Sequence, residues 1–266
     1  MNGRVLIIAG SDSGGGAGIQ ADIKTVTALG SFATTAITAL TAQNTIGVDA
    51  IHDVPADFVR QQIDTVIEDI GADAIKIGML HRTEIIETVE VFLNEAAAQI
   101  PLVFDPVMVA KGGALLLQET AATALSDRLL PLADLITPNV PEASVLSGIP
   151  IGSIEDAVRA AYILRQKGAQ NILIKGGHFE GDQLVDLLFK GDDAPERLVG
   201  SRIKTRNTHG TGCTLASACA TGLAQGLELM SAVQRAHAYV RIAIETAPGF
   251  GSGHGPLNHG HTVNQF

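Results

Sequence analysis

Basic residues are scarce in this 266-residue chain: 18 lysines and arginines stand against 28 aspartates and glutamates, a formal charge of −10. So few cations argue against nucleic acid or another polyanion as partner, because such binding needs basic patches. A small anion remains within reach, since a few local donors can hold one against an unfavourable overall field. Cysteine is scarcer still. Only Cys213 and Cys219 occur, nothing suggests secretion, and a reducing cytoplasm is the expected setting. Long apolar runs are missing too. "VLIIAG" near the start is too short for a signal-peptide core, and polar residues break every longer stretch, so neither export nor a membrane span is expected. No G-x-x-x-x-G-K-[ST] occurs, which excludes a P-loop enzyme as far as a motif can. Repeats, low-complexity linkers and domain breaks are also absent, and residues 1–266 read as one domain.

What the chain does have is apolar side chains, 46% of it, ample for a large core. Short β-branched runs, namely "VLIIAG", "TTAITALTAQ", "AIKIGML", "PLVFDPVM", "DLITPN" and "NILIKGG", alternate with helix-length amphipathic segments. In residues 55–70, Phe58, Val59, Ile63, Val66, Ile67 and Ile70 fall on one face at period 3.6. Residues 83–99 do the same with Ile85, Ile86, Val89, Phe92, Leu93 and Ala96. Near-continuous apolar strands between such helices imply an α/β fold whose mostly parallel sheet is covered on both faces. "QLVDLLFKGDDAPERLVG" reads instead as two strands and a turn, an antiparallel appendage at one sheet edge.

Parallel α/β sheets bind ligands beyond the carboxyl ends of their strands. The residues there are polar or glycine-rich: Gly10-Ser11-Asp12, Gln43-Asn44, Gly78-Met79, Asp105-Pro106, Asn139 and Lys175-Gly176. They describe a crevice for something small.

"AGSDSGGGAGIQAD" follows a strand and opens a helix, and part of it fits the looser dinucleotide fingerprint G-x-G-x-x-A. The acidic residue expected about 20 positions later is not there, so a turn that lets backbone approach a ligand accounts for the glycines equally well. "HGTGCTLASACATGLAQG" is more specific. Gly210 and Gly212 permit a tight path, and a helix starting there aims free N–H groups and its positive dipole end at an anion. The same field would lower the Cys213 pKa and make the thiolate accessible. As a residue type, Cys213 fits an inert packing role, a nucleophile, a redox centre or a base; Cys219, among alanines, reads as packing. Lys175 ends an apolar strand, where it either meets solvent or faces an anion. Asn139 and Glu142, three apart at a strand-to-helix junction, suit either a hydrated Mg²⁺ or the dipole of a helix start.

Taken together, "AGSDSGGGAGIQADIKT", "TALTAQNTIGV", "KIGML", "DPVMVAKGG", "LITPNVPEA", "IKGGH", "NTHGTGCTLASA" and "GHGPLNH", long and in order over nearly the whole chain, resemble the ribokinase-type small-molecule kinases. The branch they resemble is that of the hydroxymethylpyrimidine and phosphomethylpyrimidine kinases. The resemblance implies a ribokinase-like fold, ATP as phosphoryl donor with Mg²⁺, and two successive phosphorylations in one site on the thiamine pathway. It also implies a homodimer in the cytoplasm. By the same resemblance Asp22 and Gln43 contact the pyrimidine, and Gly10, Met79 and Val107 line its pocket. Gly210, Thr211 and Gly212 form the anion hole for the transferring phosphoryl group, and Cys213 is the base, where many relatives outside the branch carry aspartate. Lys175, Asn139, Thr205 and His209 match ATP-binding positions, with Glu142 and Asp105 toward the metal. A pyridoxal kinase of the same family is the nearest alternative. Some of those carry a cysteine in the flap after "VMV", where this chain has Ala110. More remote alternatives are a thiol hydrolase using Cys213 with His209, and a ligand-binding regulator without turnover.

Overall fold

The computed structural model describes residues 1–263 except Lys111, Leu115, Gln118, His178, Glu180 and Asp192. The motif positions Lys111, His178 and Asp192 therefore lie outside the described residues. Nine strands form one sheet: β1 (Arg4–Asp12), β2 (Phe32–Gln43), β3 (Val48–Asp53), β4 (Ala74–Ile77), β5 (Leu102–Phe104), β6 (Leu135–Ile136), β7 (Asn171–Ile174), β8 (Gln183–Lys190) and β9 (Glu196–Ser201). Their order is β3-β2-β1-β4-β5-β6-β7-β8-β9. The pairs from β2 through β7 are parallel, so these strands share one carboxyl edge.

Both flanks are antiparallel. The β8–β9 hairpin is the expected appendage. The β2–β3 hairpin at the opposite edge was not anticipated, because "VDAIHD" is too polar to read as a strand by its pattern. Several strands are shorter than their apolar runs: β5 stops at Phe104 and β6 at Ile136. The residues beyond them are released into the loops at the carboxyl edge.

Alternation assigns the two faces. Leu6, Ile8, Ile75, Ile77, Phe104 and Ile136 pack beneath α2 (Ala56–Asp69), α3 (Thr83–Ala96), α4 (Glu119–Arg128), α5 (Val140–Ser147) and α6 (Ile154–Gln166). Val5, Ile7, Ala9, Val103, Leu135 and Leu173 pack on the other side beneath α1 (Gly18–Ala28), α7 (Thr211–Ala224) and α8 (Leu229–Glu245). The helical faces match expectation except at two positions. Phe58 is 53% exposed, because it lies at the open start of α2, and at the end of α3 the buried place falls to Ala97, leaving Ala96 outside. Among the described residues no helix is long and apolar enough to cross a membrane.

Candidate active site

The head of α7 stands over the carboxyl edge of the sheet. Gly210 caps it at φ +82°, and a Cβ there would lie 1.8 Å from the Gly16 carbonyl oxygen, so only glycine fits. The helix is wholly buried over most of its length, which its small residues allow. Thr214 and Thr221 return their hydroxyls to the carbonyls of Gly210 and Ser217. Thr211, Gly212 and Cys213 form its first turn; the Thr211 N–H donates to the Thr208 carbonyl at 3.3 Å, and those of Gly212 and Cys213 have no acceptor inside the helix.

Lys175 reaches this point from the end of β7. A Cβ on Gly212 would sit 3.1 Å from its Nζ, and that ammonium is 2.8 Å from Asp105 Oδ1 and 3.8 Å from Glu142 Oε2. Burial works against the Lys175 charge, but Asp105 and Glu142 together outweigh it and hold the lysine above its usual range. Burial dominates at Glu142 and pushes it up to about 7. Asp105, opposed by burial but flanked by Lys175 and Lys76, stays below the usual carboxylate range.

Asn139 and Glu142 have a second occupation. Asn139 caps α5 by accepting from the Glu142 N–H at 2.9 Å, and Glu142 Oε2 accepts from the Asn139 N–H at 2.7 Å, a reciprocal capping box. The Asn139 side-chain oxygen is thus committed to the helix, and an ammonium stands between Asp105 and Glu142 where a metal was expected. The oxygen chemistry of the two carboxylates suits Mg²⁺, yet the lysine leaves them no shared inner coordination sphere. An ion that keeps its water shell and arrives on phosphates is what this donor set accommodates.

The expectation for Cys213 needs correction. The thiol is partly exposed, and the N–H of Gly18 donates to its sulfur, but the enclosing protein pushes it up to about 12. Burial outweighs the helix start, and Lys76 is the main influence in the lowering direction. Asp22 also differs from expectation. It is fully buried, with one carboxylate oxygen accepting from Lys76 at 2.8 Å and the other from Ser217 at 2.7 Å. It lies behind the crevice surface.

At the other end, Gly10, Met79 and Val107 do come together: a Cβ on Gly10 would meet the Met79 methyl at 2.4 Å, and Val107 and Ala110 pack against Met79 and Leu116. Gln43 and His209 line a small crevice with Ala110, Gly112 and His254. His209 was expected among the ATP-binding residues. It is buried 2.8 Å from Asp12 Oδ2 and 3.4 Å from the Gln43 amide nitrogen. With its Nε2–H donating to Asp12, that nitrogen cannot also accept from the Gln43 amide. Thr205 belongs to the loop after β9 and accepts from the Asn207 N–H at 3.1 Å. A larger hollow of about 410 Å³ between α2 and α3 is lined by Arg60, Glu84, Glu87 and Val91, none of them at a strand tip.

Sequence reading passed over two groups. Lys76 sits inside "AIKIGML", where a charge in an apolar strand was the available signal. His259 of "GHGPLNH" is buried 2.9 Å from the Thr214 hydroxyl, and nothing in its spacing points to that.

A family model described as phosphomethylpyrimidine kinase matches residues 12–258. The thiamine biosynthesis bifunctional protein of Geobacter sulfurreducens is 53% identical over 257 residues, covering 97% of this chain and 52% of that protein. The chain thus spans about half the length of that relative. The hydroxymethylpyrimidine/phosphomethylpyrimidine kinase of Bacillus subtilis is 48% identical over 257 residues, covering 96% and 94%. Among solved structures, the ADP complex of Bacillus subtilis pyridoxal kinase has a TM-score of 0.90 at 37% identity, covering 97% of this chain and 98% of that one.

Proposed function

The chain belongs to the phosphomethylpyrimidine kinase family, and on that premise we propose that it phosphorylates hydroxymethylpyrimidine with ATP, then converts the monophosphate to the diphosphate. The observation that carries the mechanism is the meeting of Lys175 with Gly212 at the head of α7, beside Cys213. Phosphoryl transfer passes through a loose in-line transition state, so positioning and charge stabilisation are most of the work. The Gly212 and Cys213 N–H groups at the head of α7 and the Lys175 ammonium would face the oxygens of the transferring group. Gln43 would hold the aminopyrimidine edge, and Gly10, Met79 and Val107 would form the apolar wall. Mg²⁺, held through its water shell by Asp105 and Glu142, would neutralise phosphate charge. With its thiol raised to about 12, Cys213 would accept the hydroxymethyl proton only through its thiolate form, as the O–P bond forms. For the second transfer the nucleophile is a phosphate oxygen, already largely ionised at neutral pH, and needs no base. A homodimer and a cytoplasmic setting belong to the same proposal.

A pyridoxal kinase is the second reading, favoured by the backbone likeness to the Bacillus subtilis enzyme. The deciding experiment measures ADP release with ATP and Mg²⁺ against hydroxymethylpyrimidine, its monophosphate, pyridoxal and pyridoxine. The pyrimidine should win in kcat/KM by orders of magnitude, because a site that pairs a substrate's polar group rejects analogues lacking it by as much as ~10⁴. Gln43→Leu should penalise the pyrimidine far more than pyridoxal. Comparable specificity constants would promote the second reading.

A further inference from the structure

Lys76 occupies a row that ought to be apolar. In the parallel register it lies between Ile7 of β1 and Val103 of β5, both buried against α1, α7 and α8. It is fully buried, and its only charge-paired partner at bonding distance among the described residues is Asp22, at 2.8 Å. Gly78, two residues on, makes room for the ammonium: a Cβ there would lie 2.8 Å from Nζ. Such a pair is a poor stabiliser, since well-packed apolar side chains in its place are often neutral or better. Its location supplies another reason for it. Asp22 is tied by Ser217, one helical turn after Cys213 on α7, and the Gly18 N–H that meets the Cys213 sulfur opens α1, the helix carrying Asp22.

We infer that the Lys76–Asp22 pair is a charge device behind Cys213, in which Lys76 is a positioning residue whose ammonium favours the thiolate and Asp22 moderates it. The role of the thiolate rests on the kinase reading; the charge relation does not. The charged groups tied to this end of α7 are Asp22, bonded to Ser217, Lys76, bonded to Asp22, and Lys175 with Asp105, both beside Gly212. A cation and an anion must move the thiol in opposite directions, whereas two halves of a structural bridge would act alike when removed.

The test is the rate at which methyl methanethiosulfonate modifies Cys213 in the ligand-free protein between pH 7 and 9, read by peptide mass so that Cys219 is counted separately. Lys76→Met should slow modification, and Asp22→Asn, which keeps the shape and the acceptor for Ser217, should speed it. Each pH unit of displacement is worth about tenfold in thiolate. Changes of the same sign would overturn the inference. Should Lys76→Met fail to fold, Asp22→Asn decides alone: a rate equal to or below that of the unsubstituted protein defeats it. ADP release by the unsubstituted protein is assayed in parallel. Its absence would sink the kinase reading while the modification rates still judge the charge device.

Discussion

The two faces of the sheet are built from the same alternating strands but bear different loads. Beneath α2 to α6 the row is Leu6, Ile8, Ile75, Ile77 and Phe104, met by Ile86, Val89 and Phe92. Beneath α1 and α7 the row is interrupted by Lys76, and the covering helices bring Asp22, Thr25, Thr214, Ser217 and Thr221 into the buried layer. The first face joins large apolar side chains and holds the sheet together. The second trades bulk for close approach, which carries the start of α7 down to the strand tips. Buried polar side chains are thereby concentrated on the second face, while α5 of the first face contributes Asn139 and Glu142 at the strand tips.

Three substitutions would break or sharpen this contrast. Cys213→Ala, on the polar face, should lower phosphorylation of hydroxymethylpyrimidine by ~10²–10⁴-fold, the usual worth of a general base. Nucleotide affinity should stay within a few-fold. Conversion of the monophosphate should fall far less, so separate assays of the two transfers check the mechanism. An equal loss in both would mean that Cys213 shapes the site rather than taking a proton.

Phe92→Ala, on the apolar face, should cost about 3–5 kcal/mol in urea unfolding. Its kcat per folded molecule should remain within about twofold. A large fall in kcat without loss of stability would erase the division between faces.

The smallest effect concerns His259. Burial lowers its pKa to about 4, from 6.5. The unfolded chain then binds the extra proton between those values, so the contribution is fully present above pH 6.5 and is lost as pH falls toward 4. Its size is on the order of 3 kcal/mol. In His259→Gln, stability followed by denaturant titration from pH 7 to 4 should decline by that much less. Parallel declines would show that His259 titrates normally.

Much of this was legible beforehand because periodicity reports burial. Ile86 and Phe92 fell on the predicted face, and Lys175 and Asp105 stood at the predicted strand tips. What escaped were balances between competing forces. The start of α7 does favour a thiolate, but sequence cannot weigh that against the burial that raises Cys213. Asn139-x-x-Glu142 is equally good spelling for a metal element and for a capping box, and hydrogen-bond geometry alone separates them. The pairing of His209 with Asp12 was not legible because the two lie 197 residues apart.

The absence of any side chain at Gly210 has a mechanical consequence. Its backbone rests against the carbonyl of Gly16, while a Cβ on Gly16 would itself press to within 2.4 Å of the His209 ring. The loop that opens α1 and the loop that opens α7 are therefore meshed, each leaving no room for a side chain on the other. A side chain added at either Gly16 or Gly210 would disturb both loops at once, and His209 with them.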